Sequence, residues 1–272
     1  MQVAVVQMVS TPDVAHNLRT AASCIANAAA QGAELVVLPE YFCGMGLRDT
    51  DKLMWSETFG EGPIQSALRQ WAQQHGIWLA AGTLPLRTQD PAKVSNSLLL
   101  LNPDGAVTAR YDKIHLFRFA TPTEHYDESV QIQAGDTPVV APITDRRGHT
   151  WRLGLSVCYD LRFPELYRQH AQMGADILLV PSAFTFTTGQ AHWETLLRAR
   201  AIENQCWVLA AAQGGLHPNG RTTWGHSMAI DPWGHVLAQQ TETGAGATLA
   251  VLDLALLQQV RQRLPALKHR CL

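Results

Sequence analysis

Trp151-Arg-Leu-Gly-Leu-Ser-Val-Cys158 runs directly into Tyr159-Asp-Leu-Arg-Phe-Pro-Glu-Leu-Tyr-Arg168. The first half is a short, mostly apolar run with Val157 just ahead of the cysteine, and it reads as a buried strand. The second half opens with a turn and becomes an amphipathic helix near Pro164, a residue that a first helical turn tolerates. Cys158 therefore stands where a strand ends and a helix is about to begin. Backbone N–H groups are unpaired at such a point and can lower a thiol pKa or hold an oxyanion. A cysteine in apolar company is also an ordinary small core residue, so position alone leaves both roles open.

Outward from this junction the chain alternates apolar strand-like runs with amphipathic helical stretches. Strands are expected at 3–8, 35–39, 77–84, 94–101, 106–113, 175–181, 206–212, 224–230, 236–239 and 248–254. Helices are expected at 14–31, with Leu18, Ala22, Ile25 and Ala29 on one stripe and Cys24 beside it as a packing residue, at 63–76, and at 192–204. From 115 to 137 the periodicity dissolves into aromatic and polar residues, the mark of a functional loop. Gly32-Ala-Glu-Leu-Val-Val-Leu-Pro39 is echoed by Gly174-Ala-Asp-Ile-Leu-Leu-Val-Pro181. Two similar strand–helix halves, with sheets flanked by helices, account for the echo most economically.

The chain has 272 residues, 46% of them hydrophobic, and a formal net charge of -2. That charge gives no support for nucleic-acid or membrane-surface binding. Neither a signal peptide nor a membrane span is readable. The five cysteines are scattered and odd in number, which suits free thiols in a reducing cytoplasm. No histidine pair or cysteine pair has metal-site spacing, and no glycine-rich phosphate motif follows a strand, so neither a metal nor a nucleotide cofactor is implied. No composition shift marks a linker, and a single domain is expected.

Glu40, Lys113 and Cys158 each close an apolar run, and in α/β folds chemistry gathers at the C-terminal ends of strands. A thiol needs a base to take its proton, and the tetrahedral adduct needs a cation or donor aimed at the new oxyanion. Glu40 can supply the first and Lys113 the second, although the two could equally form an ordinary ion pair at a sheet edge.

Leu38-Pro-Glu40, Tyr111-Asp-Lys113 and Val157-Cys-Tyr-Asp160 match, in order and context, three signatures of the nitrilase-like carbon–nitrogen hydrolases. The resemblance implies a four-layer α-β-β-α sandwich that dimerises through its helices, with a single domain over 1–254 and a C-terminal extension over 255–272 at the dimer interface. It makes Glu40 the general base, Lys113 the oxyanion stabiliser, Cys158 the nucleophile and the Tyr159 backbone N–H an oxyanion donor. A second family glutamate matches Glu128 in Tyr126-Asp-Glu-Ser129, where it would orient Lys113.

Within the family the chain is most similar to the branch that hydrolyses deaminated glutathione. The matching pieces are Tyr111-Asp-Lys-Ile-His-Leu116, Tyr159-Asp-Leu-Arg-Phe-Pro-Glu165, Pro181-Ser-Ala-Phe184, His192-Trp-Glu194, Ala210-Ala-Ala-Gln-Gly214 and Gly225-His-Ser227. The loop between Tyr41 and Trp55 departs from the usual form of that branch and of the nearby ω-amidase branch alike. Arg162 offers a fork suited to a carboxylate, or it pairs with Glu165 or Asp160. Phe184 and Trp193 supply an apolar wall or belong to the core, His192 is a specificity candidate, and Gln213 and His226 are candidate pocket donors. Arg198, Arg200 and Glu203 read as structural ion pairs along one helix. The expected function is an amidase without cofactor, acting on a small amide that bears carboxylates. The rivals are an ω-amidase acting on 2-oxoglutaramate and a catalytically silent interaction module.

Overall fold

The computed structural model describes residues 1–120 and 125–271. In chain order β1 (Gln2–Gln7), α1 (Val14–Ala30), β2 (Leu35–Val37), α2 (Pro63–His75), β3 (Trp78–Arg87), β4 (Val94–Leu101) and β5 (Val107–Asp112) build the first half. A small hairpin of β6 (Arg118–Ala120) and β7 (His125–Asp127) leads to β8 (Val139–Thr144), β9 (Thr150–Leu155), α3 (Pro164–Gln172), β10 (Ile177–Leu179), α4 (Phe186–Asn204) and β11 (Trp207–Ala210). A second hairpin, β12 (Gly214–Leu216) with β13 (Thr222–Trp224), precedes β14 (Met228–Ile230), β15 (Val236–Gln239), β16 (Gly246–Val251) and α5 (Leu254–Arg263).

Two mixed six-stranded sheets result, ordered β16-β1-β2-β3-β4-β5 and β15-β14-β11-β10-β9-β8. Strand alternation assigns the layers. Val3, Val5, Leu35 and Val37 share one buried cluster with Leu153, Leu155, Ile177 and Leu179 of the other sheet. Their neighbours Ala4, Val6 and Val36 turn the opposite way, onto Ile25 and Ala28 of α1 and Leu68 and Ala72 of α2. Leu166, Tyr167, Trp193 and Leu197 of α3 and α4 belong to the cluster of the second sheet. The architecture is the four-layer α-β-β-α sandwich. With both faces of each sheet covered, the strands read as continuous apolar runs.

The internal echo has a structural counterpart. β2 and β10 each lie between two parallel neighbours, and each is followed by a proline, Pro39 and Pro181.

Several elements differ from the sequence reading. The buried face of α1 is Asn17, Ala21, Cys24, Ile25 and Ala28, one position earlier than the expected stripe. Asn17 is drawn inward because its amide donates to the Thr11 and Cys43 carbonyls at 2.7 and 3.1 Å. Helix α4 starts at Phe186 rather than near His192. β8 was not expected; it is an edge strand, the place where its Pro142 can be accommodated. The aperiodic stretch 115–137 holds the β6–β7 hairpin and a short 3-10 turn, Glu128–Val130, and its 121–124 portion lies outside the described residues. The expected strand 224–230 is broken into β13 and β14 around Gly225 and His226, both at positive φ. Helix α5 buries Leu257 and Val260, and its Arg261 binds Asp176 and the Ala175 carbonyl at 2.8 and 2.7 Å. Leu272, at the end of the expected extension, lies outside the described residues. No helix among the described residues is long and apolar enough to cross a membrane.

Candidate active site

β9 ends at Leu155, and the chain turns through Cys158 at φ 51 into a 3-10 turn, Cys158–Arg162. A non-glycine residue in that region is strained. Surrounding bonds hold it there. Cys158 N–H donates to the Pro181 carbonyl at 2.9 Å. The fully buried Asp160 accepts Val157 N–H at 2.8 Å and the Tyr111 hydroxyl at 2.7 Å on one oxygen, and His115 N–H at 3.0 Å on the other. His115 Nδ1 adds a contact to that second oxygen at 2.7 Å. From the far end, Arg200 Nε and Nη2 donate to the Leu161 carbonyl at 3.1 and 2.8 Å. Tyr159 N–H, in the first turn after the nucleophile position, meets no acceptor among the described residues.

Glu40 follows β2 and is almost wholly buried. Its Oε1 accepts Asn96 Nδ2 at 2.9 Å and Lys113 Nζ at 3.0 Å, and its Oε2 accepts Ala183 N–H at 2.9 Å. The Cys158 thiol lies beside the same carboxylate, close enough to influence its titration. Lys113, just past β5, is fully buried. Its backbone is pinned on both sides, donating to the Asn96 carbonyl at 3.0 Å and accepting Gly135 N–H at 2.9 Å. Glu128 takes the rest of the ammonium, with Oε1 and Oε2 at 3.0 and 2.8 Å from Nζ. It also accepts the Tyr41 hydroxyl at 2.8 Å and Phe117 N–H at 2.7 Å. The two echoed strand ends thus meet, with Glu40 from one bonded to Ala183 from the other.

The electrostatics follow from burial and this one shared cation. Burial lifts the Glu40 carboxyl above its usual range; Lys113 opposes and the Glu128 charge adds to the rise. For Glu128 burial is outweighed by Lys113 and the Phe117 N–H, and its carboxyl is held low. Burial works against the Lys113 ammonium, but Glu128 and Glu40 together keep it charged well above the ordinary lysine range. Burial and the neighbouring Glu40 push the Cys158 thiol up. The thiol is thus held toward its protonated form, beside a carboxyl raised above its ordinary range.

A cleft opens over this cluster, lined by Glu40, Glu128, Cys158, Tyr159, Arg162 and Phe184. The loop 41–55 and the hairpin residues Arg221 to Thr223 form its other walls. Arg162 pairs with neither Glu165 nor Asp160. Its guanidinium lies over the Phe184 and Tyr159 rings at 5.3 and 5.8 Å and touches His192 Nδ1 at 3.2 Å.

Lys113 lies fully buried beneath the cleft rather than in its lining, and four other sequence candidates also fall outside it. His192 is exposed on α4, and its one hydrogen-bond partner among the described residues is Arg162. Trp193 is core, its indole N–H donating to the His226 carbonyl at 2.9 Å. Gln213 is fully buried, its amide bonded to Ser10 and to the Glu40 carbonyl at 2.7 and 2.9 Å, so it supports the base without facing a ligand. His226 stacks on Trp224 at 4.3 Å and binds Gln239. Residues the sequence reading missed are Asn96 and Ala183 N–H on Glu40, Tyr41 on Glu128, and Asp160 under the nucleophile turn. Asp160, inside the Cys-Tyr-Asp run, and Ala183, inside Pro181-Ser-Ala-Phe184, carried a local signal. Arg198–Glu194 and Arg200–Glu203 are ion pairs at 3.5 and 2.8 Å. No group of three or more His, Cys, Asp or Glu among the described residues is placed to hold a metal ion.

The family model for carbon-nitrogen hydrolases matches residues 2–262. A Mus musculus protein named deaminated glutathione amidase is 45% identical over 98% of this chain and 82% of its own length. A Synechocystis protein of the same name is 44% identical, over 98% of this chain and 97% of its own. The crystal structure of the Caenorhabditis elegans NitFhit protein matches with a TM-score of 0.90 and 40% identity. That match covers 99% of this chain and 65% of the worm protein, so this chain spans just under two thirds of that fusion.

Proposed function

This chain belongs to the carbon–nitrogen hydrolase family, and on that premise we propose that it is an amidase that cleaves deaminated glutathione to 2-oxoglutarate and cysteinylglycine. Cys158 attacks the amide carbonyl while Glu40 takes the thiol proton. The developing oxyanion is met by the Lys113 ammonium and the Tyr159 N–H. Glu40 returns the proton to the departing amine as the C–N bond breaks, leaving a thioester. A water, deprotonated by the same carboxylate, then adds its oxygen to the thioester carbonyl, and the thiol regains a proton as the acid leaves. Glu128 holds Lys113 in place through both carboxylate oxygens and acts on the reaction only through it.

The observation that carries the reading is the buried thiol set beside a carboxylate that shares one ammonium with a second carboxylate. This arrangement gives the base a raised pKa and keeps the cation charged. The names of the mouse and cyanobacterial relatives support the substrate, as does a cleft with room beyond the nucleophile. The working unit is a homodimer joined through its helices, with α5 and the tail after it at the interface. The exposed Ile202 on α4, which lies against Gly234, and the exposed Trp233 support such a contact.

The test is kcat/KM for deaminated glutathione and 2-oxoglutaramate, measured side by side on the same preparation. A ratio favouring deaminated glutathione is expected. A ratio of one or below overturns the substrate and leaves the amidase chemistry standing.

A further inference from the structure

Four cations line the cleft: Arg48, Lys52, Arg162 and Arg221. Two are already paired, Arg48 with Asp51 at 3.4 Å and Arg221 with Asp49 at 2.7 Å. Among the described residues, neither Arg162 nor Lys52 has a carboxylate within ion-pair distance. Lys52 has no hydrogen bond there either; its ammonium lies over the Tyr41 ring, 5.7 Å from the centroid. The nearest acidic groups are engaged elsewhere, Glu128 by Lys113, Tyr41 and Phe117, and Asp49 by Arg221.

Lys52 is also held in place. It sits in the 3-10 turn Asp49–Leu53, whose entrance is fixed by Arg48 N–H donating to Asp51 at 3.0 Å. Asp49 ties that turn to Arg221, and Asn219 donates to the Gly46 carbonyl at 2.8 Å, so the loop is fastened to the second hairpin. The ammonium is thus presented to the cleft from a braced segment. Burial depresses its pKa against the pull of Glu128 and Asp49, a penalty that an incoming anion would relieve.

We propose that Lys52 is the residue that selects the long substrate, receiving the terminal carboxylate of its leaving peptide while Arg162 takes the carboxylate of the acyl half. This rests on the substrate reading above. The planar fork of Arg162 follows the nucleophile by one turn and suits the acyl half. Lys52 stands over Tyr41, whose hydroxyl meets Glu128 beside the Lys113–Glu40 pair, so its ammonium faces the cleft on the side of the base that protonates the departing amine. The loop 41–55, not His192, sets the specificity.

The test compares deaminated glutathione with its analogue in which the glycine carboxylate is a carboxamide, on the full chain. A charge-assisted contact makes wild type prefer the acid by about tenfold to a hundredfold in kcat/KM. Lys52→Met brings that preference to near one, whatever it does to the rate common to both substrates. Lys52→Gln does the same, and Lys52→Arg keeps part of the preference. A wild-type preference near one, which needs no variant, overturns the proposal, and so does a wild-type preference that survives in Lys52→Met or Lys52→Gln. Turnover of 2-oxoglutaramate with neither peptide substrate cleaved overturns the substrate reading itself, and this proposal with it.

Discussion

Glu128→Gln and Lys113→Met should move the acid limb of the pH–rate profile in opposite directions. Glu40 Oε1 and Glu128 Oε1 each lie 3.0 Å from the same lysine nitrogen, so these oxygens are at most about 6 Å apart. At an effective dielectric near 20, two charges at that separation repel by roughly 3 kcal/mol, or about two pK units on the carboxyl that titrates. Glu40 is that carboxyl, raised by burial with Glu128 adding to the rise. The base must be unprotonated in the free enzyme, so kcat/KM falls as pH drops through its pKa. Glutamine keeps an oxygen for the Tyr41 hydroxyl but removes the charge; Glu40 drops, and the limb shifts to lower pH by about two units. Lys113→Met removes an attraction of roughly 5 kcal/mol by the same arithmetic and leaves two buried carboxylates facing each other. Glu40 then rises out of service near neutral pH, and the missing oxyanion partner costs a further factor of about a hundred to a thousand in kcat. Initial rates from about pH 5 to 9 decide it. Limbs that stay at the wild-type position, or that move together, would refute Glu40 as the titrating base.

Cys158→Ala should abolish turnover and leave the denaturant midpoint unlowered, whereas Cys206→Ala keeps turnover and loses on the order of 1 kcal/mol from smaller packing volume. Turnover in Cys158→Ala would sink the nucleophile assignment. Asp160→Asn turns an NH2 toward groups that now donate to a carboxylate, and about 2 kcal/mol of stability should go with it. Its kcat should fall as the nucleophile turn loosens, and unchanged kcat would deny the clamp. His170 is fully buried, neither ring nitrogen has a partner among the described residues, and burial pulls its pKa down to about 4. The unfolded chain binds that proton below about pH 6.5, so stability is full above it and declines toward pH 4 by at most about 1.4 kcal/mol per unit. Urea unfolding at about pH 7.5 and 5 should show a flatter dependence in His170→Leu than in wild type.

Glu40, Lys113 and Cys158 were legible because each follows an apolar strand whose end could be found from composition. Which way a residue beyond a strand points was not legible. Gln213 and Phe184 both follow apolar runs, yet one is locked behind the base and the other lines the cleft. Asn96 lies inside β4 and reaches Glu40 only through the pairing of three strands, information no local window holds. The start of α4 was hidden because its first turns carry Gly189, whose Cα faces the Trp224 side chain too closely for any Cβ. The pairing that keeps Lys52 free, with Asp49 taken by Arg221, is set by contacts across more than a hundred residues.

Base and ammonium hang from the first sheet, nucleophile and Ala183 from the second, and the Ala183–Glu40 bond joins positions 143 apart in sequence. A refolding chain with both sheets formed but not yet pressed together has its secondary structure and none of its reactivity. Contacts this distant in sequence form late. Rapid acylation of Cys158 by a chromogenic amide, sampled during refolding, would time the meeting of the two sheets, while circular dichroism times their formation. The interval between those signals is the lifetime of the undocked sandwich, and Ala183→Pro, which removes one of the seam's N–H donors, should lengthen it.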